Sequence, residues 1–207
     1  MGYNACSTWN LFYGCAQTNS KSGIMKKALI LGDSNTWGYD PRGYLQRYDL
    51  TYIDYLNDLV ADWMFFEDSL NGRLLRDVKD ETFNLASIDL FCIMLGSNDL
   101  MHYYDVDQIV SFMYELIDSL DTNKVMILCP PILQIDVFKE VSIRLNEAYK
   151  KMKVHCIDCN PLNMSFDGVH LSEKGHKELA IKIAEYMKKI SEVTGREYAP
   201  FVYYGAQ

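Results

Sequence analysis

Apolar positions along the chain fall into two kinds of segment. Short continuous runs from Ala28 to Leu31, Met64 to Phe66, Asp89 to Leu95, Val125 to Cys129 and Val154 to Asp158 predict strands buried on both faces. Between them the apolar residues recur with a helical period. From Asp49 to Asp62, Ile53, Leu56, Leu59 and Val60 share one face. From Val106 to Leu120, Ile109, Phe112, Met113, Leu116 and Leu120 do the same. A weaker helix is predicted over Leu74 to Leu85, and another over Asp136 to Met152. Pro130 and Pro131 stop the fourth strand. Ser172 can cap a last helix reaching Ile190, with Glu173 and Glu178 early and Lys188 and Lys189 late, as the helix dipole favours.

Buried strands separated by helices require a parallel sheet covered on both sides. Right-handed crossovers then give a three-layer α/β/α domain. Chemistry in such a domain gathers in the loops beyond the carboxyl ends of the strands.

Composition narrows the partners. Twenty Lys and Arg against 28 Asp and Glu give a net charge of −8. The basic residues are scattered, the densest cluster being Lys150, Lys151 and Lys153. That balance argues against nucleic acid or an anionic membrane as partner. No apolar run approaches the ~20 residues of a membrane span, and the 13% of aromatic residues can fill a core.

Cysteines stand at 6, 15, 92, 129, 156 and 159. Their irregular spacing reads as free thiols in a reducing compartment. Cys156 and Cys159 form a single C-x-x-C, and a zinc ribbon needs two. On a strand, positions three apart face opposite sides, so no metal is expected there.

Residues 1–24 carry no charge before Lys21 and no clear period, and read as an extension of unknown role. They lack the basic start and clean apolar stretch of a secretory signal, so a cytoplasmic location is expected. The folded domain is expected over 25–194. The Tyr-rich segment 195–207 reads as a tail packed on a surface or a neighbouring subunit.

The strand ends carry the candidate chemistry. Gly32-Asp33-Ser34-Asn35-Thr36-Trp37-Gly38-Tyr39 follows the first strand, and Leu70-Asn71-Gly72-Arg73 the second. Gly96-Ser97-Asn98-Asp99 follows the third, and Asp167-Gly168-Val169-His170 comes after the fifth. Ester hydrolysis needs groups of these types. A neutral hydroxyl such as Ser34 is a weak nucleophile without a base. Imidazole titrates near neutrality, which suits His170 to that task. An anion on its other nitrogen fixes the tautomer, and Asp167 lies one turn away. The oxyanion needs donors already aimed at it, which the Ser34 N–H, the Gly72 N–H and the Asn98 amide can supply. No metal or cofactor is called for.

With these blocks in this order, the chain resembles the SGNH superfamily of serine hydrolases, also called GDSL-type esterases and lipases. Ser34, Gly72, Asn98 and His170 stand at the four namesake positions, and the likeness runs from 26 to about 190. Asn35-Thr36-Trp37-Gly38-Tyr39 and Leu70-Asn71-Gly72-Arg73 look most like the arylesterase, short-acyl branch. The resemblance implies a flavodoxin-like sheet of five parallel strands and activity on acetyl or other short esters. Asn35 departs from the Leu of the GDSL name, and Ser97 from the commoner Thr. The stretches 72–96 and 99–105 are short for that branch, which leaves acyl length and a homo-oligomer open.

Around this core, Asn35, Trp37, Tyr39 and Ile132 are expected to contact substrate. Asp33 is expected to order its turn, and Asp99 to anchor its own loop. His102 reads as an exposed rim residue, and His155 and His176 as structural. The leading expectation is a short-chain carboxylesterase acting on a small-molecule ester, with carbohydrate and aryl acetates as candidates. A thioesterase or lysophospholipase, acyl transfer to another acceptor, and a silent ligand-binding module of the same fold are the alternatives.

Overall fold

The computed structural model describes residues 25–194, apart from positions 80, 121 and 123. The expected extension 1–24 and tail 195–207 lie outside the described residues. In chain order the elements are β1 (Lys26–Gly32), α1 (Ser34–Trp37), β2 (Tyr39–Asp40), β3 (Gln46–Arg47), α2 (Tyr52–Leu59), β4 (Trp63–Ser69) and α3 (Leu75–Val78). Then follow β5 (Leu90–Met94), α4 (Ser97–Met101), α5 (Val106–Ser119), β6 (Val125–Leu128), α6 (Asp136–Lys151), β7 (His155–Ile157) and α7 (Glu173–Thr194).

The main sheet has the order β4-β1-β5-β6-β7, and every pair is parallel. This is the flavodoxin-like order, in which the chain steps outward from β1 to β4 and then reverses to β5. The crevice at such a reversal opens above the carboxyl ends of β1 and β5. Both Gly32-Asp33-Ser34 and Gly96-Ser97-Asn98 emerge there.

Alternation along each strand divides the core in two. Ala28, Ile30, Leu90, Cys92, Met94, Met126 and Leu128 face a layer built from α2 and α7. Leu31, Phe91, Ile93, Leu95, Val125 and Ile127 face the layer of α3, α5 and α6. The central strands β5 and β6 are apolar and buried at every position because both faces are covered, whereas the edge strand β4 exposes Met64 and Phe66. Cys156 and Cys159 fall on opposite sides of this division. Among the described residues no helix is long and apolar enough to cross a membrane.

Four details differ from the sequence reading. The helix predicted over Leu74–Leu85 is the single turn α3, because apolar positions 78, 83, 85 and 88 break the helical period. Helix α2 starts later than predicted, where Thr51 and Asp54 form a capping box. Leu59, placed on its apolar face, is exposed, and the buried face is Tyr52, Ile53 and Leu56. The antiparallel pair β2–β3 was not anticipated.

Candidate active site

Ser34 opens α1 directly after β1. A Cβ at Gly32 would lie 1.9 Å from Thr36 Oγ1, so only glycine lets α1 turn back this tightly over the strand end. Asp33 caps the turn by accepting from the Asn35 N–H at 2.9 Å. Thr36 Oγ1 lies 3.0 Å from the Tyr52 hydroxyl, which ties α1 to α2. As the first residue of α1, Ser34 has an N–H with no intrahelical acceptor.

His170 approaches from the loop between β7 and α7. Its Nε2 lies 3.0 Å from Ser34 Oγ, and its Nδ1 lies 2.6 Å from Asp167 Oδ2. The carboxylate fixes the proton on Nδ1 and leaves the Nε2 lone pair toward the hydroxyl. Burial pushes the Asp167 carboxyl up. The His170 side chain and the His170 and Val169 N–H groups outweigh it and hold Asp167 below the ordinary carboxylate value. An imidazole so placed can take a hydroxyl proton and return it to a leaving group.

The donor segments are fastened to one another. Asn98, on α4, donates from Nδ2 to Arg73 O at 3.1 Å and, more weakly, to Asp33 Oδ2 at 3.4 Å. The Arg73 guanidinium donates to Asp68 O at 2.7 Å and Gly32 O at 3.3 Å, and pairs with Asp68 Oδ1 at 2.8 Å. These bonds hold together the ends of β1, β4 and β5, which carry the Ser34 N–H, the Gly72 N–H and the Asn98 amide. Gly72 is exposed, and a Cβ there would meet nothing; its φ of 77° is what calls for glycine.

The remaining expected residues divide. Tyr39 packs against the His170 ring with centroids 4.6 Å apart and the planes tilted by 44°. Trp37 lies one ring further back, 6.4 Å from Tyr39. Ile132 is half-buried in the segment beside the histidine loop, where Gln134 N–H donates to Gly168 O at 2.7 Å. Asn35 is a correction. It is 2% exposed, and its amide is taken up by Val169 O and the Leu171 N–H, not turned to a substrate. Asp99 reaches beyond its own loop and accepts from Leu75 and Arg76 N–H at the start of α3. His102 is exposed at the end of α4, and His176 is fully buried. The roles of Asn35, Arg73 and Asp99 escaped the sequence reading; the departure of Asn35 from the Leu of the GDSL name was the one available signal.

Below the hydroxyl, burial pushes the Asp33 carboxyl up to about 7. The Asn35 N–H opposes this, and the nearby Asp99 charge adds to it.

Residues 29–183 match the model of a family described as GDSL-like lipase/acylhydrolase. Among solved structures, the aryl esterase of M. smegmatis is 25% identical, covers 79% of this chain and 99% of its own, and superposes with a TM-score of 0.66. A carbohydrate acetylesterase from Sinorhizobium meliloti is 24% identical over 80% of this chain and 99% of its own, with a TM-score of 0.65. Axe2, an acetylxylan esterase from Geobacillus stearothermophilus solved as a catalytic mutant, is 19% identical over 80% of this chain and 95% of its own, with a TM-score of 0.61. Among curated proteins none matches.

Proposed function

Because the chain belongs to the GDSL-like lipase/acylhydrolase family and is thereby a carboxylic ester hydrolase, we propose that it cleaves short, acetyl-type esters through an acyl-enzyme on Ser34. His170 takes the Ser34 proton as Oγ attacks the carbonyl carbon. Asp167 holds the imidazole in the required tautomer and stabilises the imidazolium that forms. The Ser34 N–H, the Gly72 N–H and the Asn98 Nδ2 hydrogen that otherwise makes the weak 3.4 Å bond to Asp33 donate to the oxyanion. His170 then passes the proton to the leaving alcohol. Water, deprotonated by the same imidazole, releases the acid and restores Ser34.

One observation carries this reading: the run of short contacts from Ser34 Oγ to His170 Nε2 and from Nδ1 to Asp167. The short-acyl preference draws on the resemblance of residues 35–39 and 70–73 to the arylesterase branch and on the acetylesterases among the structural neighbours. Tyr39, Trp37 and Ile132 are the side chains proposed to meet the acyl or alcohol group.

The test is a panel of p-nitrophenyl acetate, butyrate and dodecanoate with sugar acetates, assayed on purified protein and on Ser34→Ala. Acetate is expected to exceed dodecanoate in kcat/KM, and Ser34→Ala is expected to be inactive on every ester. A preference for dodecanoate would instead favour the thioesterase or lysophospholipase reading. Turnover that persists in Ser34→Ala would remove the nucleophile assignment.

A further inference from the structure

We propose that Asn35 is a positioning residue for His170: its amide grips the backbone on both sides of the histidine and holds the imidazole in register with Ser34 Oγ. The inference rests on the serine-hydrolase reading of the site.

The histidine loop is supported by no ladder of the main sheet, so its backbone groups must find partners elsewhere. The Val169 and His170 N–H groups donate to Asp167 Oδ1 at 3.0 and 3.1 Å. His170 O accepts from Ser165 N–H at 2.7 Å, and Gly168 N–H donates to Ser165 O at 3.0 Å. Gly168 O accepts from Gln134 N–H at 2.7 Å. The Val169 carbonyl and the Leu171 N–H, immediately before and after His170, are left. Asn35 satisfies both: Nδ2 donates to Val169 O at 3.2 Å, and Oδ1 accepts from Leu171 N–H at 2.8 Å.

One planar amide thus does what a neighbouring strand's peptide group would do. Asn is the shortest side chain that carries a donor and an acceptor in one rigid plane. Its own N–H is tied to Asp33 Oδ1, and it follows Ser34 directly. The two groups that exchange a proton are therefore joined through a single buried side chain. At 2% exposure, water is poorly placed to substitute for it. Leu at this position would leave both loop groups unpaired and release the histidine from its partner.

The experiment compares Asn35→Leu and Asn35→Asp with the parent, with Ser34→Ala as control. For each, kcat and KM on p-nitrophenyl acetate are normalised to sites titrated by a p-nitrophenyl phosphonate. The far-downfield proton resonance of the short His170–Asp167 bond is followed by NMR. A shift of an ångström between reacting groups can cost about 10²-fold. Asn35→Leu is accordingly expected to lose roughly 10- to 100-fold in kcat per titrated site with KM within about threefold, and to broaden the downfield signal. Asn35→Asp keeps the acceptor for Leu171 and is expected to fall between. Parent-like kcat per site with an unchanged downfield signal would leave Asn35 a structural part only, whatever happens to the melting temperature, and overturns the inference. If Asn35→Leu does not fold, Asn35→Asp decides by the same criterion. Turnover in Ser34→Ala overturns the serine-hydrolase reading and this inference with it. Parent-like kcat at position 35 beside an inactive Ser34→Ala overturns the inference alone.

Discussion

The backbone N–H of Tyr52 donates to Nδ1 of His176 at 3.3 Å, so a side chain from α7 caps the first turn of α2. The two rings stack with centroids 6.1 Å apart, and Nε2 is buried with no hydrogen-bond partner among the described residues. An accepting Nδ1 requires the neutral ring. Burial, and then the Arg47 charge, push His176 down from 6.5 to about 4, with Asp54 opposing. Between those values the unfolded chain binds the proton and the folded chain does not. The stabilisation is therefore present above pH 6.5 and is lost as pH falls toward 4, about 3 kcal/mol in all. Urea unfolding at pH 7 and pH 4.5 should show the parent losing more stability than His176→Phe. Equal losses in the two proteins would contradict the assignment.

Asp167 has two duties that a substitution can separate. Its Oδ1 accepts from the loop N–H groups, and its Oδ2 faces His170 Nδ1. Asp167→Asn keeps an oxygen for the loop and turns an N–H toward the ring, which reverses the tautomer. The expected result is a folded protein whose kcat drops on the order of 10⁴. A loss of less than about tenfold, measured with p-nitrophenyl acetate, would count against its role in orienting the base.

Asn98 is expected to matter more to turnover than to binding. Asn98→Ala should lower kcat by roughly 10²–10³ with little change in KM. A change near twofold would take its amide out of the oxyanion site. Because the same amide holds Arg73 O, unfolding measured in parallel separates this effect from a loosened turn.

Asp99 predicts an effect on stability. Its carboxylate accepts from Leu75 N–H at 2.9 Å and Arg76 N–H at 3.2 Å and is fully buried. Asp99→Ala leaves both donors without their acceptor and should cost about 1–2 kcal/mol in urea unfolding. Asp99→Asn retains one acceptor and should recover part of that. Stability within error of the parent would show that another group takes over the cap.

The sheet was legible because strands buried on both faces must be apolar at every position, as Phe91 to Leu95 are. The meeting of Ser34, His170 and Asp167 was legible because they sit in short local blocks whose residue types have few other uses together. The pair β2–β3 was hidden: two residues a side, with Gln46 and Arg47 exposed, show no alternation. The shortened α3 misled because Phe83 and Ile88 pack against the core without helical geometry. Asn35 and Asp99 act across 134 and 24 positions of chain, and no local pattern announces a side chain whose partners are distant backbone groups.

The two halves of the core meet at the site. Leu171, next to the His170 imidazole, belongs to the cluster shared with α2 and α7, while Leu100, two residues past Asn98, belongs to the opposite one. His170, the proposed base, and Asn98, one of the proposed oxyanion donors, are thus bolted to different slabs of the molecule, with the sheet as their common spine. On the proposed mechanism, turnover becomes a gauge of how well those slabs stay aligned, because shear between them would part the base from the amide donor while each remains folded.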